Sequence, residues 1–157
     1  MIALRKIEIK DKKYFARWWR NKKLAMLTSG ILKPISDKEI DTYLLDILNS
    51  KKDYHFIITL NKKTIGHASL TKRPNNWYET RIVIGEKKYW GVGYGSKAIN
   101  LLVHKAKNLD ISKIYLEVRQ TNIRAIRAYT RCGFQKVRTI LYPKNKYLPK
   151  TLRMELE

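Results

Sequence analysis

Alternating apolar and polar positions mark the strands of this 157-residue chain. IALRKIEI (2–9) alternates from the start and predicts a half-buried strand. YHFIITL (54–60) and TIGHASL (64–70), joined by the polar turn 61–63, predict an antiparallel hairpin. Four later segments with a similar pattern predict further strands: 77–85, 113–118, 134–141 and 151–156.

Apolar residues spaced three or four positions apart predict helices between these strands. Asp11 is expected to cap a helix that runs to about Arg20, with Phe15, Trp18 and Trp19 on its inner face. The stretch 21–35 that follows is polar, and we expect it to be irregular and long enough to be functional.

Three more helices are predicted further along the chain. A capping box, SDKE (36–39), precedes an apolar stripe of Ile40, Tyr43, Leu44, Ile47 and Leu48. The other two helices run from the glycines at 91–95 to about residue 108, and over 122–132 with Gly133 at the C-terminal cap. The order βααβββαβαββ predicts one α/β (α+β) domain over residues 1–157, a mixed sheet with helices on its faces.

Charge is the main compositional bias of the chain. Lys and Arg number 34 against 13 Asp and Glu, a formal net charge of +21, which favours an anionic partner. Several lysines occur as doublets, however, as on an ordinary solvated surface. The single Cys132 allows no intramolecular disulfide, so we expect a cytoplasmic protein; no apolar run long enough to span a membrane and no Cys/His zinc spacing occurs.

The glycine cluster WGVGYGS (90–96) lies between a predicted strand and a predicted helix. Its successive backbone amides and the positive end of the helix dipole can face one point, as in a phosphate-binding site. The sequence lacks the Gly-Lys-Ser/Thr ending of a P-loop, and it does not follow the first strand of a parallel unit as a dinucleotide fingerprint would. An ordinary turn remains the alternative.

The helix after Asn122 is the second feature. Asn122 can cap it, Ala125 is small, and Tyr129 follows Asn122 by seven residues, which is two turns along the same face. Taken alone, this pattern also fits an ordinary amphipathic helix with a core tyrosine.

Together these features resemble the GNAT superfamily of acetyltransferases. The resemblance is carried by IGHASL (65–70), by IVIG (82–85) running into YWGVGYG (89–95), and by LEV (116–118) through Asn122, Ala125, Tyr129, Gly133 and Phe134. It extends to the closing MEL (154–156) and is most similar to the branch of ribosomal-protein-alanine, spermidine and amino-sugar N-acetyltransferases. Trp90 stands where the family often has Gln or Arg. The resemblance implies a mostly antiparallel sheet of about seven strands, with the central strands splayed to hold acetyl-CoA.

The resemblance also implies roles for individual residues around acetyl-CoA. The backbone amides of Val92, Gly93, Tyr94, Gly95 and Ser96 would hold the pyrophosphate, with Lys88 and Lys97 nearby. Val83 and Ile84 lie on the strand that would pair with the pantetheine and polarise the thioester carbonyl. Asn122 is expected to contact the pantetheine, and Tyr129 to be both a cofactor contact and the general acid.

An amine must lose a proton before it attacks, and two carboxylates are candidates for the base. Glu79, just before the splayed strand, is preferred, and Glu117 on the neighbouring strand is the alternative. His55 and His67 are expected to be structural, and Cys132 is not expected to be a nucleophile.

The acceptor is less defined by the sequence. WWRN (18–21) resembles an element of amino-sugar-nucleotide N-acetyltransferases, while residues 118–154 hold ten Lys or Arg and no acid, which disfavours a polycationic acceptor. The main hypothesis is transfer to the amine of a small or nucleotide-linked molecule or of a protein N-terminus, by a monomer or homodimer. The alternatives are transfer to an RNA-bound amine such as aminoacyl-tRNA, and a non-catalytic CoA-binding protein.

Overall fold

A computed structural model describes residues 1–28 and 35–157. Seven strands form one sheet in the order β1-β2-β3-β4-β5-β7-β6. The strands are β1 (Ile2–Lys6), β2 (Tyr54–Leu60), β3 (Lys63–Lys72), β4 (Trp77–Ile84), β5 (Lys113–Val118), β6 (Gln135–Leu141) and β7 (Lys150–Leu156). Every neighbouring pair is antiparallel except β4 and β5, which run parallel. The predicted mixed, mostly antiparallel sheet of seven strands is confirmed.

Within residues 1–28 and 35–157, five α-helices cover the two faces of this sheet. They are α1 (Lys12–Trp19), α2 (Lys22–Thr28), α3 (Asp37–Asn49), α4 (Tyr94–Asn108) and α5 (Ile123–Arg131). The larger core lies between the sheet and the pair α4 and α5, where Leu102, Ile126 and Tyr129 are buried. Phe15 and Trp18 of α1 lie in a second core with Ile57 of β2, on the opposite face.

Alternation along the strands explains the two cores. In β4, Ile82 and Ile84 pack against the larger core while Val83 packs against the smaller one. Successive side chains of a strand point to opposite faces, so a strand covered on both faces can contribute to both cores.

The N-terminal region departs from the prediction in two ways. β1 ends at Lys6 rather than at residue 9, and Ile9–Asp11 forms a short 3-10 turn. Asp11 does not cap α1: its buried carboxylate accepts hydrogen bonds from the Glu8 backbone amide at 2.9 Å and from Arg5 at 2.7 and 2.8 Å. An acidic residue near a helix start predicts a cap, but Asp11 is buried beside Arg5, so its carboxylate bonds to Arg5 and not to the first amides of α1.

The segment predicted to be irregular, 21–35, contains the helix α2. Asn21 Oδ1 accepts the Leu24 amide at 3.2 Å, and Leu24 is buried beneath the helix. The polar capping residue followed by good helix formers was the missed signal. Residues 29–34 of this segment lie outside the described part of the chain.

The predicted cap of α3 is observed, but its apolar stripe is only partly buried. Ser36 Oγ accepts the Glu39 amide at 3.2 Å. Ile40 and Leu44 are buried, whereas Tyr43 is 52% exposed and Leu48 is 37% exposed. No helix within residues 1–28 and 35–157 is long and apolar enough to cross a membrane.

Candidate active site

The central strands β4 and β5 separate soon after they meet. They pair only from Trp77 and Lys113 to Glu79 and Tyr115. Beyond this point β4 stays paired with β3 as far as Ile84, and β5 stays paired with β7 as far as Val118. An opening therefore lies between 80–84 of β4 and 116–118 of β5, with backbone groups of both strands along it, as the predicted splay requires.

The glycine loop lies at the end of β4 and begins α4. Gly91 and Gly93 have φ of +77° and +89°, which side chains other than glycine rarely adopt. A Cβ added at Gly91, Gly93 or Gly95 would meet no described atom within 4 Å, so open space faces this backbone. The N-cap Gly93 offers no side chain to the first amides of α4, which leaves them available for an anion.

Two lysines flank the loop as expected. Lys88 lies 5.0 Å from the ring centre of Tyr89, and Lys97 lies 5.9 Å from that of Tyr94. The two tyrosine rings meet edge to face at 6.0 Å. Neither lysine forms an ion pair with any residue of 1–28 or 35–157, so both charges are available beside the uncapped amides.

Trp90 connects the loop to both sides of the opening. Its indole Nε1 donates to the Ile84 carbonyl at 2.7 Å, which holds the loop against the end of β4. On the β5 side, the Arg124 guanidinium of α5 lies 4.3 Å from the Trp90 ring centre. A stacked cation of this kind contributes roughly 0.5–1 kcal/mol at an exposed site. The family departure at Trp90 thus has a structural use.

Asn122 and Tyr129 lie on α5 as predicted. Asn122 Oδ1 caps the helix by accepting the Ala125 amide at 3.3 Å, and its Nδ2 group makes no hydrogen bond to another described residue. Tyr129 is buried in the larger core, edge to face with Phe134 at 5.7 Å. Burial, with a smaller contribution from Cys132, raises the pKa of Tyr129 to about 12.

Glu79 is buried at the last position where β4 pairs with β5, and two arginines contact its carboxylate. Arg73 Nε and Nη2 both donate to Glu79 Oε2, at 2.9 and 2.6 Å, and Arg81 Nη2 lies 3.4 Å from Oε1. This arrangement suits a structural ion pair, because Arg73 occupies Oε2 and Arg81 contacts Oε1.

Glu117 lies within the opening itself, on the part of β5 that β4 no longer pairs with. Its Oε1 accepts hydrogen bonds from the Tyr142 hydroxyl and from Thr151 Oγ1, the latter at 2.6 Å. Burial, and then the bond to Glu117, raise the pKa of Tyr142 to about 12, so the hydroxyl remains a donor. Oε2 has no hydrogen-bond partner in the described part of the chain.

Neither Tyr142 nor Thr151 was predicted as a partner of Glu117. Both lie at least 25 positions from Glu117, and strand order alone brings them together. Arg73 and Arg81 were missed for another reason, because surface arginines are common and nothing local marks them as partners of Glu79.

His55 and His67 form a stacked pair on β2 and β3. Their rings are parallel with centres 5.4 Å apart, and His55 Nδ1 lies 3.2 Å from His67 Nε2. Burial, aided by the charges of His55 and Arg81, lowers the pKa of His67 to about 3. His67 also contacts Phe15 edge to face, which supports the structural role expected for it.

The WWRN element is explained by local contacts. Trp18 packs so closely on Gly85 that a Cβ there would lie 2.1 Å from its indole nitrogen. Arg20 donates to Asp37 Oδ1 at 2.6 Å and to the Ile35 carbonyl at 3.1 Å. Trp19 contacts Tyr43 edge to face at 5.8 Å. Arg20 is therefore already paired with an acidic side chain and a backbone carbonyl.

Two of the ten cations of 118–154 have an ionic or hydrogen-bonding partner in the described part of the chain. Arg153 pairs with Glu155, and Arg119 donates to the Tyr147 carbonyl. The other eight are exposed and form no ion pair with any described residue: Arg124, Arg127, Arg131, Lys136, Arg138, Lys144, Lys146 and Lys150.

Cys132 and the groups of acidic side chains were the remaining candidates for chemistry. The Cys132 thiol donates to the Ser96 carbonyl at 3.5 Å, and burial raises its pKa, which disfavours a thiolate nucleophile. Within the described ranges, no three His, Cys, Asp or Glu side chains are grouped so that they could hold a metal ion.

Curated acetyltransferases are similar to this chain in sequence. The aminoglycoside N(6')-acetyltransferase type 1 of Klebsiella pneumoniae is 23% identical over 146 residues, covering 85% of this chain and 69% of that protein. The spermine/spermidine N(1)-acetyltransferase of Bacillus subtilis is 41% identical over 51 residues, covering 32% of this chain and 34% of that protein. Curated relatives are matched over 16% to 69% of their own lengths.

The fold is shared with solved acetyltransferase structures. Spermidine N-acetyltransferase from Vibrio cholerae, in complex with CoA and spermine, superposes with a TM-score of 0.84 at 21% identity, covering 99% of this chain and 94% of that one. The family model of the acetyltransferase (GNAT) domain matches residues 2–135, most of the chain. With the splayed strands and the glycine-opened helix, this match shows that the chain belongs to the GNAT acetyltransferase family.

Proposed function

We propose that this protein is an N-acetyltransferase that moves an acetyl group from acetyl-CoA directly to a primary amine of a small or nucleotide-linked molecule or of a protein N-terminus. The observation that carries the proposal is the opening between β4 and β5, which ends at the uncapped, glycine-opened start of α4. Acetyl-CoA supplies the acetyl group as an activated thioester.

The glycine loop holds the donor. The backbone amides of 92–96 bind the pyrophosphate, since Gly93 leaves the first amides of α4 without a side-chain cap. Lys88 and Lys97 lie beside this point and neutralise phosphate charge. Open space at Gly91, Gly93 and Gly95 lets the phosphates approach the backbone closely.

The strand edge and the start of α5 orient the rest of the donor. Backbone groups of Val83 and Ile84 line the opening and pair with the pantetheine, and one amide polarises the thioester carbonyl. The Asn122 Nδ2 group, which has no partner in the described residues, donates a further hydrogen bond.

Tyr129 is the general acid. Its pKa of about 12 keeps the hydroxyl protonated at neutral pH, so the Tyr129 oxygen always carries the proton that the departing sulfur needs. A thiol has a pKa of about 8.5, so this transfer requires close placement. Burial of the ring within the larger core provides a fixed position.

Glu117 replaces Glu79 as our preferred base. Glu117 lies on the part of β5 that is not paired with β4, and its Oε1 is held by two neutral hydroxyls while Oε2 has no partner in the described residues. Glu79 remains the alternative through its more loosely bonded Oε1. An amino-terminal amine of pKa about 8 needs less help from either carboxylate than a lysine-type amine of pKa about 10.4.

The test is thiol release from acetyl-CoA with a panel of primary amines: amino sugars, nucleotide-linked amino sugars, peptides with free N-termini and polyamines. We expect turnover with at least one class and its loss in Tyr129→Phe. Binding of acetyl-CoA without turnover on any amine would identify a non-catalytic CoA-binding protein. Failure to bind CoA would refute the assignment of the glycine loop.

The eight exposed cations of 118–154 that form no ion pair with a described residue favour a second candidate, transfer to an amine carried by RNA such as aminoacyl-tRNA. Lys and Arg contacts to phosphates release counterions, so activity of this kind falls steeply as salt increases. A triple variant Arg127→Gln, Arg131→Gln and Lys136→Gln should weaken RNA binding. A control with three lysines neutralised elsewhere, Lys51, Lys52 and Lys63, should not.

Cys132 bears on where the protein works. A single thiol that donates to a backbone carbonyl needs no oxidising compartment, so the proposal includes a cytoplasmic enzyme, as a monomer or a homodimer.

A further inference from the structure

We propose that Arg81 recognises an anionic group on the acceptor, so that the preferred substrate is an amine that also carries a carboxylate or phosphate. This inference rests on the proposed function, because it assigns the substrate class of the same site. Polycationic amines are then poor substrates. The argument concerns one face of the sheet, on which Glu79, Arg81, Tyr115, Glu117 and Arg153 lie; we call it the acceptor face.

The acceptor face is opposite the side from which the donor enters. Ile114, Leu116 and Val118 of β5 pack into the larger core under α4 and α5, so the alternating residues Tyr115 and Glu117 point the other way. The glycine loop begins α4 on the core side. A donor bound there reaches the opening from one face, which leaves the other face for the acceptor.

Three glutamates lie on this face: Glu79 and Glu155 are paired with arginines, whereas Glu117 is bonded only through Oε1 and has no cationic partner in the described residues. Glu79 is held by Arg73, with Arg81 at 3.4 Å. Glu155 pairs with Arg153 at 2.7 Å, and Glu117 accepts from two hydroxyls. A polyamine or other polycation is bound through several unpaired carboxylates, and β4, β5 and β7 do not provide them on this face.

Arg81 is the arginine least committed to a partner. Its side chain is 67% exposed, against 42% for Arg73 and 15% for Arg153. Arg73 donates two short hydrogen bonds to Glu79, whereas within residues 1–28 and 35–157 Arg81 makes only the 3.4 Å contact. Arg153 stacks 3.7 Å from the Tyr115 ring centre in addition to its ion pair. A new anion would therefore find most of the Arg81 guanidinium available.

Arg81 also lies close to the point where β4 and β5 separate. It follows Glu79, the last residue of β4 that pairs with β5, by two positions, and it precedes Val83 by two on the same face of β4. Two residues of a strand span about 6.6 Å. A long arginine side chain starting there can contact a group a few bonds away from an amine that attacks beside Val83. Guanidinium groups bind carboxylates and phosphates through two parallel hydrogen bonds.

The experiment compares acceptors matched except for charge: ethanolamine with phosphoethanolamine, and glucosamine with glucosamine 6-phosphate, with spermidine as the polycation. In the wild type we expect kcat/KM to be at least tenfold higher for the phosphorylated member of a pair. Arg81→Gln should raise KM for the phosphorylated acceptor about tenfold or more, with little change in its kcat. Both kcat and KM for the neutral acceptor should change little. Arg81→Lys should recover part of the loss.

The control is Lys107→Gln, which removes one exposed positive charge from the last turn of α4, on the other face. It should leave all five acceptors unchanged. Equal effects of Arg81→Gln on charged and neutral acceptors, or a wild-type preference for spermidine, would overturn the inference and leave the proposed function intact. No turnover on any amine, despite acetyl-CoA binding, would overturn both.

Discussion

Tyr129→Phe separates chemistry from packing at the proposed site. The substitution removes only the phenolic oxygen, while the ring keeps its place in the larger core and its edge contact with Phe134. The Tyr129 hydroxyl makes no hydrogen bond to another described residue, so its removal leaves no such partner unsatisfied. We expect the free energy of unfolding to change by less than about 1 kcal/mol.

The catalytic effect follows from the pKa of the donor. General acids contribute about 10²–10⁴ in rate, and most when their pKa is near that of the accepting atom. The pKa of Tyr129, about 12, is well above the value of about 8.5 for a thiol. We therefore expect the lower end of the range, a fall in kcat of about 100-fold, or about 2.7 kcal/mol. KM for acetyl-CoA should change little.

The assay is steady-state thiol release from acetyl-CoA between pH 6 and pH 10, with urea unfolding measured in parallel. Because Tyr129 stays protonated below about pH 12, the wild type should show no loss of activity from its ionisation in this range. Near-wild-type kcat in Tyr129→Phe, with stability unchanged, would refute the role of general acid. A loss of activity that depends on Tyr129 and has its midpoint near pH 9 would show that the Tyr129 hydroxyl does not lie in a buried environment.

Three further predictions test other parts of the site. Gly93→Ala should weaken CoA binding, measured by calorimetry. A φ of +89° disfavours a side chain by about 1–2 kcal/mol, and the added Cβ would occupy the space proposed for phosphate. Equal CoA binding by the variant would contradict the assignment of the glycine loop. Glu117→Gln should lower kcat in the thiol-release assay, whereas Glu79→Gln should mainly lower stability by breaking its pairs with arginine; the reverse pattern would restore Glu79 as the base. His67 is neutral in the folded state, with a pKa of about 3, and it binds a proton more readily once the chain unfolds. The free energy of unfolding should therefore fall as the pH drops below about 6.5, by about 2 kcal/mol at pH 5. Urea unfolding of His67→Phe should lack this part of the pH dependence.

Features that depend on neighbouring residues were predicted well. The hairpin turn has Asn61 and Lys62 at positive φ, Ser36 caps α3, and Gly133 follows α5 at positive φ. The strand–glycine–helix order around Gly93 was also predicted, and with it the family. Such features follow from backbone conformations that only certain residue types favour, so a few adjacent letters suffice.

Errors occurred where local patterns have two meanings. Asp11 has the sequence of a helix cap but is buried against Arg5. Tyr43 and Leu48 belong to an apolar stripe, yet the smaller core does not reach them. Periodicity shows which residues share a helix face, and it does not show how much of that face a neighbour covers.

The sequence by itself determined the elements, the glycine loop and the candidates on α5, because each depends on local conformation and spacing. Only the tertiary structure decided which residues bond to the carboxylates of Glu79 and Glu117. The order β4-β5-β7-β6 brings Thr151 and Tyr142 to Glu117, and the turn before β4 brings Arg73 to Glu79. The partner of a charged group depends on strand order and on which face is left uncovered, and these are settled by burial of the whole sheet.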